Sequence, residues 1–194
     1  VFPRSIRSGA CRGFSPPEMA LPNHPEVAYE FVKTLNECGY RWVLLQEPYV
    51  ETFEDAKPIK HPHLPHRLIV RNARGQTQSI VALIKTQGSD TKLVAQMQPY
   101  HEAKTLSRMN LDDISIPPLV TQIGDGENGG VMMNEFPPMF LRTMHEASNS
   151  PPPAMTGTEY LEHLAAAGVR EQHFPAIQPL FQSRIWERLE VGAG

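Results

Sequence analysis

The fold is decided by the stretch Pro25-Glu-Val-Ala-Tyr-Glu-Phe-Val-Lys-Thr-Leu-Asn-Glu-Cys-Gly-Tyr-Arg-Trp-Val-Leu-Leu45. Apolar side chains recur at helical spacing in its first part, where Pro25 suits the first helical position and Gly39 ends the pattern. The residues from Tyr40 to Leu45 are rich in β-forming side chains and short enough for a buried strand. Cys11 to Phe14 predicts another short strand before the helix. Strand and helix alternating in this way indicate an α/β domain with a parallel sheet.

The remainder of the chain continues the mixture of strands and helices. Arg67 to Asn72 and Thr77 to Lys85 predict a β-hairpin, and Leu119-Val-Thr-Gln-Ile123 predicts a buried strand. Further helices are predicted over Tyr100 to Arg108, from Pro137 through Ala147, from a capping box at Thr156 and Glu159 to Gly168, and over Pro175 to Leu189.

Composition excludes several functional classes. The chain has 194 residues, of which 40% are hydrophobic and 20% charged, which is typical of a globular protein with a sizeable core. A formal net charge of -3 argues against a strongly basic nucleic-acid binder. The aliphatic stretch from Ile80 to Ile84 is far short of the ~20 residues that a membrane span needs. Cys11 and Cys38 cannot form a disulfide framework, which favours free thiols and a cytoplasmic protein.

Two acidic loops follow predicted strands, and loops in that position carry function in α/β folds. In the first loop Glu18 comes after two prolines, which fix the backbone and so the direction of the side chain. An acidic residue in a solvated turn is the alternative. In the second, Gly124-Asp-Gly-Glu-Asn-Gly-Gly130, glycines allow a ligand to approach the backbone closely. A plain flexible turn is the alternative here, because the loop has neither the Walker lysine nor EF-hand spacing.

A carboxylate at each of two strand ends is what retaining glycoside hydrolysis requires. One carboxylate attacks the anomeric carbon, and the other protonates the leaving oxygen and then activates water or an acceptor sugar. Parallel strands end on the same side of a sheet, so we expect Glu18 and Asp125 to approach to roughly 5–7 Å. We also expect burial and the neighbouring charges of Glu18 and Glu127 to raise the pKa of Asp125.

The same loops resemble the motifs of a known enzyme family, glycoside hydrolase family 57. Phe14-Ser-Pro-Pro-Glu-Met-Ala20 is similar to the family's nucleophile motif, which usually reads Trp-Leu-Pro-Glu, although Ser15 and Pro16 replace the Trp and Leu. Gly124-Asp-Gly-Glu-Asn-Gly-Gly130 resembles the acid/base motif, an Asp-x-Glu followed closely by Gly. A Thr-x-x-Glu-Tyr-Leu segment downstream also agrees, here Thr156 to Leu161.

This resemblance implies a function and its residues. Glu18 would be the nucleophile and Asp125 the acid/base of a retaining glycoside hydrolase or transglycosylase. The enzyme would act on an α-glucan or maltooligosaccharide by double displacement through a glycosyl-enzyme intermediate, without a cofactor or essential metal. Glu127 and Asn128 would contact the substrate.

The resemblance also implies a fold, an incomplete (β/α)7 barrel of the glycoside hydrolase/deacetylase type followed by a helical region. Residues 1–150 would be a partial catalytic barrel with a β-hairpin insertion near 60–90, and residues 151–194 the start of the helical C-terminal region. Only 17 residues precede Glu18, whereas the family's first two motifs lie upstream of the nucleophile. We therefore expect an incomplete catalytic domain, without turnover of α-glucans by the isolated chain.

Other residues suggest additional contacts or other chemistry. Trp42 and Trp186 could stack on sugar rings, although the position of Trp42 in a predicted strand favours a core residue. Three histidines in His61-Pro-His-Leu-Pro-His66 suggest zinc and a metal-dependent polysaccharide deacetylase, but the prolines break any helical presentation of the rings. Glu102 is a third catalytic candidate. A carbohydrate-binding homologue without catalysis is the remaining alternative.

Overall fold

The chain folds into an α/β structure with one six-stranded sheet and one two-stranded sheet. The computed structural model describes residues 12–86, 97–121, 123, 136–147 and 153–191. The strands are β1 (Gly13–Phe14), β2 (Trp42–Gln46), β3 (Val50–Thr52), β4 (His66–Arg71), β5 (Thr77–Lys85), β6 (Met109–Leu111), β7 (Ile114–Ile116) and β8 (Ala176–Pro179). The α-helices are α1 (Pro25–Glu37), α2 (Gln98–Ala103), α3 (Phe136–Ala147), α4 (Gly157–Ala166) and α5 (Gln182–Val191).

The strand–helix–strand unit predicted at the start of the chain is confirmed. β1 and β2 are parallel neighbours, and α1 connects them. Pro25 stands at the start of α1, and Gly39 follows its end with a φ of +84°, a conformation that glycine adopts without strain. Ala28 and Val32 on α1 are fully buried in the core shared with the sheet, so the apolar stripe of the sequence is the face that packs.

The large sheet is mixed rather than wholly parallel, with the strand order β1-β2-β5-β4-β8-β3. β1, β2 and β5 run parallel, β4 is antiparallel to β5 and parallel to β8, and β3 is antiparallel to β8. The predicted hairpin is confirmed as β4 and β5, and both of its strands lie inside the sheet. The expectation of a parallel sheet therefore holds for β1, β2 and β5 but is wrong for β4 and β3.

The helix predicted over Pro175 to Leu189 is wrong in its first half. Ala176–Pro179 is the strand β8, which lies between β4 and β3, and the helix begins only at Gln182. Ile177 pairs with Leu68 on one side and Thr52 on the other and is fully buried. The helical spacing of this segment does not determine its structure, because pairing with two distant strands buries the Ile177 side chain and provides hydrogen bonds for its backbone.

The strand predicted over Leu119 to Ile123 is also wrong at the described positions 119–121 and 123, which have no regular secondary structure. Hydrogen bonds to two other segments hold these residues instead. The Leu119 amide donates to the carbonyl of His63 at 2.9 Å, and the Thr121 hydroxyl donates to the carbonyl of Ile84 at 3.1 Å. Isolated bonds to two different segments tether the chain without forming a ladder.

The large sheet is curved, as chain connectivity requires. β2 and β3 are four strand positions apart in the sheet order, which in a flat sheet would separate them by about 19 Å. Only residues Glu47–Tyr49 connect them, and the four steps from Gln46 to Val50 can reach at most about 14 Å. The sheet must therefore bend so that β2 and β3 approach each other.

Both faces of the large sheet are covered. One face packs against α1 and includes Leu45, Leu68 and Ile84. The other includes Val81 and Leu83 and packs against α4 and the β6–β7 hairpin. In the described ranges, every helix is too short or too polar to cross a bilayer.

Candidate functional site

The parallel strands β2 and β5 end side by side, and the chain that follows β1 reaches the same edge of the sheet, called the parallel edge below. Glu18 follows β1 in a 3-10 turn over Pro17–Met19. Gln46 and Lys85 end β2 and β5 and are direct partners in the strand register. Ligands in open α/β sheets bind beyond the carboxyl ends of parallel strands, so this edge is the place to look for a site.

Glu18 has a strained backbone. Its φ of 54° and ψ of 16° place it in the left-handed region, and Met19 follows with a φ of 50°. For residues other than glycine this conformation costs roughly 1–2 kcal/mol each. Met19 is buried, so its side chain anchors the turn to the core. Such strain persists only where the surrounding structure enforces it, and it clusters at functional sites.

Hydrogen bonds close the turn around Glu18. The Met19 amide donates to the carbonyl of Pro16 at 2.8 Å, and the side-chain amide of Gln46 donates to the carbonyl of Glu18 at 2.9 Å. The backbone of Glu18 is thereby fixed to the end of β2, while its side chain is exposed. Within the described ranges its carboxylate makes no hydrogen bond or ion pair. The backbone of Glu18 is therefore fixed, and its exposed carboxylate is open to a ligand.

The segment that precedes Asp125 in the sequence also reaches the parallel edge. Thr121 is bonded to Ile84, whose partner on β2 is Leu45. Asp125 itself lies outside the described residues, as do Glu127 and Asn128. The expected approach of Glu18 and Asp125 and the raised pKa of Asp125 therefore stay predictions.

Trp42 lies at the opposite end of β2 from this site. Its position is four residues from Gln46, or about 13 Å along the strand. The indole Nε1 donates to the hydroxyl of Thr158 at 3.0 Å. A Cβ atom on Gly13 would lie 2.1 Å from the ring, and one on Gly157 would lie 2.7 Å from it. These contacts favour the packing alternative for Trp42, and the structure does not bring it to Glu18.

Trp186 is also remote from Glu18. It lies on α5, where the guanidinium of Arg71 stands over its ring at 4.3 Å from the centroid. Arg71 pairs with Thr77, the first residue of β5, whereas the parallel edge is at Lys85. Eight residues of strand span about 26 Å, so Trp186 is placed at the far end of the sheet.

The three histidines of the predicted zinc motif occupy different environments. His66 is buried, and burial lowers the pKa of its ring to about 4. His63 lies with its Nε2 3.5 Å from a carboxylate oxygen of Glu102, and its Nδ1 is 3.3 Å from the carbonyl of Leu119. His61 is exposed. Across the part of the chain that the structure describes, no three His, Cys, Asp or Glu residues are grouped to hold a metal ion.

Two residues of the parallel edge were missed in the sequence. Gln46 follows the predicted strand Tyr40 to Leu45, and its position at a strand end is the signal that could have identified it. Thr121 lies within the predicted strand Leu119 to Ile123, so the sequence pattern assigns its hydroxyl no separate role. Both side chains donate hydrogen bonds to backbone carbonyls, and such contacts require no particular residue type at the acceptor, so they produce no sequence motif.

Comparisons with protein-family models, with curated proteins and with solved structures give no match to this chain. The likeness to glycoside hydrolase family 57 therefore rests on its motifs. What the site can do has to be inferred from the residues at the parallel edge.

Proposed function

We propose that this chain carries the catalytic nucleophile of a retaining glycoside hydrolase or transglycosylase that acts on α-glucans. The observation that carries the proposal is the backbone of Glu18, which is held in a left-handed conformation at the carboxyl end of a parallel strand. Fixing the backbone at this residue limits the positions that its carboxylate can reach. A nucleophile needs a carboxylate that cannot drift from the anomeric carbon.

In the proposed reaction, a carboxylate oxygen of Glu18 bonds to the anomeric carbon while the bond to the leaving sugar breaks. Asp125 gives its proton to the leaving oxygen. In the second step Asp125 takes a proton from water or a sugar hydroxyl, whose oxygen bonds to the anomeric carbon and releases Glu18. Two inversions give net retention, which requires the two carboxyl groups to be about 5 Å apart.

Two features of the fold support this reaction. The tether between Thr121 and Ile84 brings the chain to the parallel edge four residues before Asp125. The curvature of the sheet is consistent with a partial (β/α)7 barrel, in which β1, β2 and β5 would be barrel strands and antiparallel β4 an addition. In such barrels the catalytic groups come from the carboxyl ends of different strands.

The test uses the longest natural polypeptide that contains these 194 residues. Incubation with maltooligosaccharides should redistribute their chain lengths, and Glu18→Gln should lower the rate by at least about a thousandfold. The matched control is Glu47→Gln, which neutralises the next carboxylate at the end of β2 and should retain activity. A 5-fluoro-α-glucosyl fluoride should label the protein covalently, and peptide mapping should place the label on Glu18.

Three outcomes would contradict the proposal. Equal losses in the Glu18 and Glu47 variants would indicate a general effect on the edge. A label on another carboxylate would assign the nucleophile elsewhere. An activity that chelation abolishes and Glu18→Gln leaves intact would favour the metal-dependent polysaccharide deacetylase.

A further inference from the structure

A cavity of about 280 Å³ lies beneath α5, and its lining does not include Glu18. Its wall combines aromatic rings with neutral polar groups. The rings are those of Phe53 and Trp186, and the polar groups are the amides of Gln178 and Gln182 and the hydroxyl of Ser183. Polar and apolar groups line the cavity in about equal measure, and sites for small ligands combine apolar surface with placed hydrogen-bonding groups.

The charges around the cavity are balanced. Arg71 and Glu187 also line it, one cation and one anion. The guanidinium of Arg71 is stacked over the Trp186 ring at 4.3 Å, so the two side chains form one wall. An anionic ligand would face Glu187, and a cationic ligand would face Arg71. The lining therefore favours a neutral ligand.

A buried hydrogen-bond network holds the polar groups in place. The amide nitrogen of Gln178 donates to Glu51 Oε1 and to Ser183 Oγ, both at 2.9 Å. Glu51 is buried and its other oxygen accepts from the backbone of Phe181 at 3.1 Å, where the chain turns into α5. Gln182 is 2% exposed, and its Oε1 has no hydrogen-bond partner among the described residues. A wall fixed in this way requires little reorganisation on binding.

We propose that this cavity binds one neutral pyranose ring, either as a free sugar or as the end of an oligosaccharide, in a site separate from Glu18. The C–H faces of a sugar pack on aromatic rings, and its hydroxyls pair with the hydroxyl of Ser183, the guanidinium of Arg71 and the carboxylate of Glu187. The volume is at the lower end of the range for ligand sites, which suits one ring rather than a chain. The proposal does not depend on catalysis by Glu18.

Calorimetric titration of the 194-residue chain with glucose and with maltotriose tests the proposal. Binding should occur at millimolar or lower sugar, and Trp186→Ala should weaken it by about tenfold or more. Asp112→Asn, a change at an exposed residue between β6 and β7, is the control and should bind with unchanged affinity. Equal affinities for the two sugars indicate a free ring, and tighter binding of maltotriose indicates the end of an oligosaccharide.

A second measurement uses the unmodified protein, so it does not depend on the folding of a cavity variant. The two tryptophans give separate indole N–H resonances, and sugar should shift that of Trp186 and leave that of Trp42 in place. The proposal is overturned by an absence of binding up to about 10 mM, by a shift of Trp42 alone, or by inorganic phosphate binding more tightly than sugar. Sugar binding that Glu18→Gln removes and Trp186→Ala spares also overturns it, while supporting the site at Glu18.

Discussion

Replacing Glu18 by glycine should stabilise this chain and abolish the proposed activity of the longer polypeptide that contains it. The left-handed backbone costs the glutamate roughly 1–2 kcal/mol, which glycine would not incur. Glycine also raises the conformational entropy of the unfolded chain, which lowers the free energy of unfolding by about 0.4–1 kcal/mol. The expected net gain in the free energy of unfolding is therefore about 0.5–1 kcal/mol, or about 1–4 °C in Tm for a chain of this length. Thermal unfolding followed by circular dichroism measures it.

Two control variants separate strain from chemistry. Glu18→Gln keeps the strained backbone and should change stability by less than about 0.5 kcal/mol while removing the nucleophile. Asp112→Gly relieves a φ of 49° at an exposed position between β6 and β7, so it should stabilise without affecting activity. A Glu18→Gly protein that melts lower than the parent would refute the strain. A variant that is more stable and still active would refute the assignment of the nucleophile.

Three further predictions concern stability. Burial lowers the pKa of His66 to about 4 in the folded protein, against 6.5 in the unfolded chain. Its contribution to the free energy of unfolding is therefore complete above pH 6.5 and is lost as the pH falls towards 4. Unfolding in denaturant should show a loss of about 2 kcal/mol between pH 7 and pH 5, and His66→Met should remove this loss. The Thr156 backbone amide and hydroxyl lower the pKa of Glu159, so the capping box stabilises above the normal Glu pKa and weakens as the pH falls through the lowered value. Thr156→Ala should lower the free energy of unfolding by about 1 kcal/mol at pH 7. The Tm of this variant should fall less than that of the parent when the pH is lowered. Gly13→Ala should lower the free energy of unfolding by about 1–3 kcal/mol, because the added Cβ would overlap the Trp42 ring. In a double-mutant cycle followed by thermal unfolding, the same substitution should lower stability less when Trp42 is replaced by leucine.

Elements with local signals were predictable from the sequence. α1 has an apolar stripe with Pro25 and Gly39 at its ends, and α4 has the capping box, which the structure forms in full at Thr156 and Glu159. The hairpin of β4 and β5 follows from its turn residues. In each case the signal lies in the residues at the ends or turn of the element, or in its own apolar spacing, so the sequence pattern contains it.

Elements that depend on distant partners were not predictable. β8 is a strand because Ile177 meets Leu68 and Thr52, more than a hundred residues away in the sequence. The segment from Leu119 has strand-like composition, but its described residues bond to His63 and Ile84 without forming a ladder. At the site, the sequence identifies Glu18 by its motif, whereas the hydrogen bond from Gln46 appears only when β1 and β2 are placed side by side.

The position of β8 between β4 and β3 governs the order in which the protein can be assembled during synthesis. Both neighbours leave the ribosome early, but about 105 residues separate Arg71 from Ala176. At 5–20 residues per second, the outer edge of β4 would wait about 5–20 s for its partner strand. Unpaired strand edges recruit other chains, so a nascent molecule is most exposed to aggregation in this interval. A chaperone that shields β3 and β4 until Pro179 has emerged would protect the step on which closure of the sheet depends.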